Sequence, residues 1–338
     1  MTNIKYLQRF FFALFVGLSM CSIQACSDDD DNEGGGSTGT LSTNVGEIVA
    51  GSGKKLLSAG ILDFYYSPEG KIKYIVENDV YDDYQAYHEF SSNQITSYYD
   101  YGYDEKEKEV LTLSYNEKGY ISKIHMYEYE EGEGGSETYS SISDISYDGE
   151  GHVVKITAQG VHEDIYNGET NRFEHTQTIN FKWDDGLLVG IESMNKENDG
   201  WGYSESITFK YGDREYKNMH NQYASFIDEM FGGISSACAY IGLFGTGPDY
   251  LPVSITSISK EFDGDGYVDE WTDSESYIYE FNEDGTIRRA NSEYFTYGTI
   301  NEQGEFSPNE SEYQAKATRA GQIQRRHALF GNRLKSRR

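Results

Sequence analysis

Proline and cysteine are scarce in this chain, at 4 and 3 of 338 residues. So few prolines argue against a long disordered linker. Basic residues are also short: 28 Lys and Arg face 57 Asp and Glu, for a formal charge of −29. A polyanion of that size repels phosphates, which excludes nucleic acid as a partner. The N-terminal apolar run, Phe10 to Met20, has 11 residues, well below the roughly 20 that a membrane-spanning helix needs. The histidines form no His-x-His or His-Glu-x-x-His pair, so neither a zinc site nor a catalytic triad is nominated. What the chain does have is 30 Tyr and 36 Gly, with 15% aromatic residues. That composition points to many short strands joined by tight turns.

The first 25 residues read as a signal: Lys5 and Arg9, then Phe10 to Met20, then Ile23-Gln24-Ala25-Cys26. The last four resemble a bacterial lipobox, aliphatic at −3 and small at −1, with Gln24 a departure at −2. The resemblance implies that the Cys26 sulfur takes a diacylglycerol and that the chain is held to a membrane by its acyl chains. An ordinary secretory signal is the alternative. Residues 26–42 follow as a tether, with Ser27-Asp28-Asp29-Asp30-Asp31 ahead of Gly34-Gly35-Gly36. This acidic block resembles the export signal of Bacteroides-type surface lipoproteins, which implies display on the outer face of the outer membrane. A plain periplasmic tether is the other reading. With Cys21 removed and Cys26 lipidated, Cys238 is the remaining thiol, and no intramolecular disulfide forms.

Residues 43–313 repeat a unit of aromatic, turn and aliphatic. Tyr65-Tyr66-Ser67-Pro68-Glu69-Gly70-Lys71-Ile72, Tyr115-Asn116-Glu117-Lys118-Gly119-Tyr120-Ile121 and Tyr147-Asp148-Gly149-Glu150-Gly151-His152-Val153 are copies. Trp183-Asp184-Asp185-Gly186-Leu187 and Phe281-Asn282-Glu283-Asp284-Gly285-Thr286-Ile287 are further ones. Each reads as a hairpin whose Asn or Asp starts the turn and whose Gly takes positive φ. The flanks alternate with period two, so Leu111, Leu113 and Tyr115 share a face, as do Ile179, Phe181 and Trp183. Single hairpins cannot hide such faces, so neighbours pair in chain order. The expectation is an all-β fold, a large antiparallel up-and-down meander of roughly 12 to 16 strands, curled or barrel-like. A two-layer sandwich is the alternative. A two-helix insert near 217–244 interrupts it: Met219, Tyr223, Phe226, Ile227 and Met230 recur at helical spacing, then Ile234, Ala237, Cys238 and Ile241. This insert is expected to plug or cap the sheet, with Cys238 buried.

In combination these features resemble an uncharacterised Bacteroides lipoprotein family, a domain of unknown function with a porin-like fold. The hairpins carry the resemblance, with Gly53-Lys54-Lys55-Leu56-Leu57 before the first and Leu243-Phe244-Gly245 leading to Leu251-Pro252. It runs from about Leu56 to about Tyr297; it implies a β-barrel-like fold and brings no activity or catalytic residues to transfer. A membrane-spanning role does not follow, because polar residues are dense and an inserted barrel needs no lipid anchor.

Few residues suggest chemistry. Tyr99 and Tyr101 crowd one loop, and Trp201 with Tyr203 sits in another. Ring faces beside carboxylates suit stacking on sugar C–H groups, and cross-strand tyrosine pairing is the plainer reading. Asp263, Asp265 and Asp269 resemble half of a calcium loop, but Thr272 stands where a bidentate acid belongs. An Asp-Gly hairpin turn is the plainer reading. No other cofactor is expected. Residues 314–338 carry eight Lys and Arg and no acid, an extension that folds back on the acidic body, touches anionic lipid or polysaccharide, or hangs free. The function read from the sequence is that of a non-enzymatic surface lipoprotein, with a glycan as ligand. A carbohydrate-active hydrolase and a structural envelope protein are the rivals.

Overall fold

The computed structural model describes residues 45–47, 52–79, 84–100, 106–132, 135–166, 169–198, 200–224, 226–227, 230–231, 233–263 and 266–304. Within these, 79, 84–85, 99–100, 106–108, 130–132, 135, 166, 233, 263 and 266–268 are described by their backbone alone.

Local hydrogen bonding explains why the repeats turn where they do. The Asn116 N–H bonds the Tyr120 carbonyl at 2.8 Å, and the Gly119 N–H bonds the Asn116 carbonyl at 2.9 Å. The same pair of bonds closes Ser67–Lys71, Asp148–His152 and Asn282–Thr286. Asn116 Oδ1 accepts from the N–H groups of Lys118 and Tyr120, and Asp148 Oδ1 accepts from Glu150, Gly151 and His152. A short polar side chain thus fixes the turn that a left-handed residue, Gly119 at φ 82°, completes. A register shift precedes each of these turns, at Tyr65/Tyr66, Ser114/Tyr115, Ser146/Tyr147 and Glu280/Phe281. Such bulges add twist, and repetition along one end bends the sheet.

The strands are β1 Lys55–Ala59, β2 Leu62–Tyr66, β3 Ile72–Asp79, β4 Tyr84–Phe90, β5 Gln94–Asp100, β6 Lys106–Tyr115, β7 Ile121–Gly132 and β8 Gly135–Tyr147. They continue as β9 Val153–Tyr166, β10 Glu169–Asp184, β11 Leu187–Glu197, β12 Gly202–Lys210, β13 Ser254–Asp263 and β14 Gly266–Ser276. The last three are β15 Tyr279–Phe281, β16 Ile287–Ala290 and β17 Glu293–Gly298, and the helix α1 spans Gly233–Tyr240. All 17 belong to one sheet, which sets aside the two-layer sandwich and slightly exceeds the expected strand number. Each strand from β1 to β14 pairs antiparallel with the next, β15 to β17 form a second meander, and β17 pairs with β1. Among the described residues no ladder joins β14 to β15, so the sheet curls round without closing. In the step between them, the Tyr277 N–H bonds the Val253 carbonyl at 2.8 Å and the Asn291 N–H bonds the Ile278 carbonyl at 2.9 Å.

Period-two alternation decides the inside. Leu111, Leu113, Tyr115, Ile179, Phe181, Ile207, Phe209 and Tyr211 are all buried in one core. The outward face of β7–β14 carries Ser, Thr, Lys, Glu and Asn between a few scattered apolar residues, a composition for water rather than for the apolar band of a lipid-facing barrel.

The insert between β12 and β13 departs from expectation, with one helix instead of two among the described residues. Met219 is exposed, and only a 3-10 turn forms at Phe226 and Ile227. Polar side chains divert the backbone there. Asn218 Oδ1 accepts from the Gln222 N–H at 2.7 Å, its Nδ2 donates to the Gln222 carbonyl, and Asn221 adopts φ 50°. Such capture competes with the i to i−4 bonds of a helix. The second predicted helix is α1, with Ala237, Cys238 and Ala239 buried. The insert plugs the turn end of the curl as expected. The Leu243 carbonyl accepts from the Ile121 N–H at 2.8 Å, and the Thr246 and Asp249 N–H groups donate to Gly151 and Gly186 at 2.9 Å.

Candidate functional site

Along the same strands the inward face changes character away from the plug. Ile95 gives way to Ser97, Leu111 to Glu109, Met126 to Glu128, Ile179 to Gln177, Ile207 to Glu205, and Ile255 to Ser257 and Ser259. Every one of these polar residues is buried. The interior is therefore apolar at the turn end and polar at the loop end.

One row resembles a nucleophile triad and is not one. His88 Nδ1 lies 2.8 Å from Ser97 Oγ, which donates to Glu109 Oε1 at 3.2 Å. The serine's single proton goes to the carboxylate, so Nδ1 must be the donor to Oγ. A triad needs the histidine in the middle to draw that proton away. Ser97 is also 0% exposed, with its hydroxyl committed to the Glu109 carboxylate. Cys238 is equally inert, because burial and then the charge of Glu109 push its thiol far up.

Of the residues proposed from sequence, Trp201 and Tyr203 come together with two that sequence reasoning missed. Trp201 Nε1 donates to Glu261 Oε1 at 3.2 Å, Glu261 lies opposite Tyr203 in the β12–β13 ladder, and the Tyr203 and Trp271 rings are 6.0 Å apart. Only strand pairing reveals this cluster, since β12 and β13 are separated by the whole insert. Asp269 is opposite Glu261, and the ladder continues to Asp263 opposite Gly266. The Tyr99 backbone pairs with Ala86 and Glu107. The side chains of Tyr99 and Asp263, and all of Cys26, Tyr101, Asp265 and the tail 314–338, lie outside the described residues.

Beside this cluster, Gln177 and Asn195 face each other across the β10–β11 ladder, both 4% exposed. Gln177 Nε2 donates to Ser193 Oγ at 3.4 Å, whereas Gln177 Oε1 and Asn195 Oδ1 accept no hydrogen bond. Buried acceptors left without donors cost about 1–3 kcal/mol each.

Two inward histidines sit further round. His162 stacks on Tyr139 at 4.1 Å, and His175 lies opposite Glu197. Burial, then the nearby His162, lowers His175 from 6.5 to about 4; burial also lowers His162 against the pull of Asp164. The unfolded chain thus takes a proton that folded His175 refuses. Its contribution to stability is complete above about pH 6.5 and is lost as pH falls toward about 4. The His175→Gln variant should therefore lose about 2 kcal/mol less than the parent between pH 7 and about pH 4.5. Urea melts at the two pH values measure that difference, and parallel losses would show His175 to be wet.

Charges are sorted by face. Lys123, Lys155, Arg172, Lys182, Lys196, Lys210 and Lys260, the described cations of β7–β14, all alternate to the outward side. There they meet outward acids, with Lys123 to Asp144 at 2.9 Å, Lys260 to Glu270 at 2.8 Å, Lys182 to Glu192, and Arg172 to Glu163 and Glu174. Glu109, Glu128, Glu205, Glu261, Asp273 and Glu275 occupy the inward side. Among the described residues, one group of three metal-ligating side chains has its donor atoms within 4.8 Å, and it is not here: Asp148, Glu150 and His152. Those three belong to the β8–β9 turn, where Asp148 caps the backbone, His152 Nδ1 is 2.9 Å from Asp148 Oδ2, and the imidazole stacks on Trp183.

No protein-family model matches the chain, and no curated protein does either. Among solved structures, it is similar to a porin-like protein from Bacteroides vulgatus at 13% identity, with a TM-score of 0.41 over 68% of this chain and 84% of that one. It is likewise similar to a porin-like protein from Bacteroides uniformis at 13% identity, with a TM-score of 0.38 over 70% of this chain and 90% of that one.

Proposed function

We propose that this chain is a surface-anchored lipoprotein, held by acylated Cys26, that binds a glycan without catalysis at the loop end of its curled sheet. The observation carrying the reading is the Trp201–Glu261 hydrogen bond beside the Tyr203–Trp271 ring pair. Aromatic faces give area for sugar C–H groups, and adjoining carboxylate and amide oxygens accept from hydroxyls. Acyl anchoring and the acidic tether keep the opposite, N-terminal end at the membrane.

Trp201 is half-buried, so its replacement perturbs folding little. Trp201→Ala should weaken glycan binding by about tenfold, as loss of an aromatic anchor does. A glycan array followed by calorimetry on the best ligand reads this, and unchanged affinity would remove the loop from the site. Release of new reducing ends, abolished by one carboxylate substitution, would replace this reading with a hydrolase.

A further inference from the structure

We infer that the glycan is a cationic one, carrying free amines, which the loop-end interior recognises through oxygen acceptors; this rests on the glycan reading above. Two independent observations lead there. The first is the sorting of charge: among the described side chains of β7–β14, acids occupy both faces and cations only the outward one. Alternation makes that a choice at every position, because shifting a lysine by one residue would bring it inside. The inward histidines do not compensate, since burial keeps His175 neutral at pH 7.

The second observation is the pair of acceptors, Gln177 Oε1 and Asn195 Oδ1, more than nine-tenths buried and without donors. Carboxylates and amide oxygens only accept, so this surface asks for a ligand rich in N–H and O–H groups. A neutral sugar offers hydroxyls, which accept as well as donate. An ammonium donates three times and also answers the charge. Ring faces of Tyr203 and Trp271 further favour a cation over an anion. The inward carboxylates are spread over several strands, and among the described residues no inward group brings three ligand atoms within 4.8 Å. That spacing suits an extended molecule with several amines better than a single metal ion.

Calorimetry on the full-length chain at about pH 6, where amines are protonated, tests this with three probes: a glucosamine hexamer, its fully N-acetylated counterpart, and spermine. The expected result is binding of the glucosamine hexamer at least about tenfold tighter than the acetylated one, weakening as salt rises. Asp269→Asn with Asp273→Asn, both on the inward face of β14 opposite Glu261 and Ser257, should reduce that affinity by about tenfold. Asp273→Asn alone serves if the double variant melts early. Equal or tighter binding of the acetylated hexamer would overturn the amine preference and leave the glycan reading standing. Spermine binding as tightly as the hexamer would keep the cation preference and overturn the glycan reading. Binding of none of the three would overturn both.

Discussion

Phe244→Ala is expected to lower the free energy of unfolding by about 3–5 kcal/mol, the range for emptying a packed aromatic site. Phe244 follows α1 in the insert and is 1% exposed. Its ring stacks on Phe231 at 4.3 Å, and Phe231 in turn stacks on Phe181 of β10 at 5.9 Å. The preceding carbonyl, that of Leu243, holds the Ile121 N–H at the start of β7. The residue therefore ties the plug to two distant parts of the curl, and little can collapse into the hole because strand backbones fix its walls. Urea melts of the variant measure the loss. A change below about 1 kcal/mol would mean that the plug docks outside the cooperative unit.

The fold was legible because its determinants are local. Asn116 with Gly119, or Asp148 with Gly151, specifies a turn within five residues, and Leu111, Leu113 and Tyr115 announce a face within another five. Chain-order pairing then needs no further information. The insert was legible only in part, for a different reason. Met219, Tyr223 and Phe226 have helical spacing, but Asn218 and Asn221 spend their side chains on the backbone of Gln222 and Gly247. Periodicity records where apolar residues fall and is blind to polar groups that outbid the helix.

Half of the candidate site was visible for the same reason. Trp201 and Tyr203 are close in sequence and stand out as aromatics beside acids. Glu261 and Trp271 reach them only through the β12–β13 and β13–β14 ladders. Gln177 and Asn195 are commonplace residues whose meaning lies in being buried and opposite each other. The charge sorting was hidden by the overall excess of acids, which looks like a uniformly solvated surface. It emerges once register divides each strand into two faces, one with ion pairs and one with acids.

Gly245→Ala should destabilise the chain by about 3–4 kcal/mol, combining two costs. Gly245 holds φ +83°, and an alanine in that left-handed region costs about 1–2 kcal/mol. A methyl group there would also stand 2.2 Å from the Gly151 carbonyl oxygen, with Tyr147 at 3.1 Å and Tyr120 at 3.3 Å behind it. The obstacle is backbone, so no rotamer change relieves it. The insert must retreat from the β8–β9 turn instead. Retreat stretches the Thr246 N–H bond to Gly151 and the Thr246 hydroxyl bond to the Glu150 carbonyl, each worth about 1 kcal/mol. Gly242 supplies the control, since it has nearly the same φ, +82°, with nothing within 4 Å of the added carbon. Gly242→Ala should therefore show the backbone cost alone, about 1–2 kcal/mol. The difference between the two melts isolates the contact of the plug with the turn. Equal losses would mean that close approach at Gly151 does not hold the insert in place.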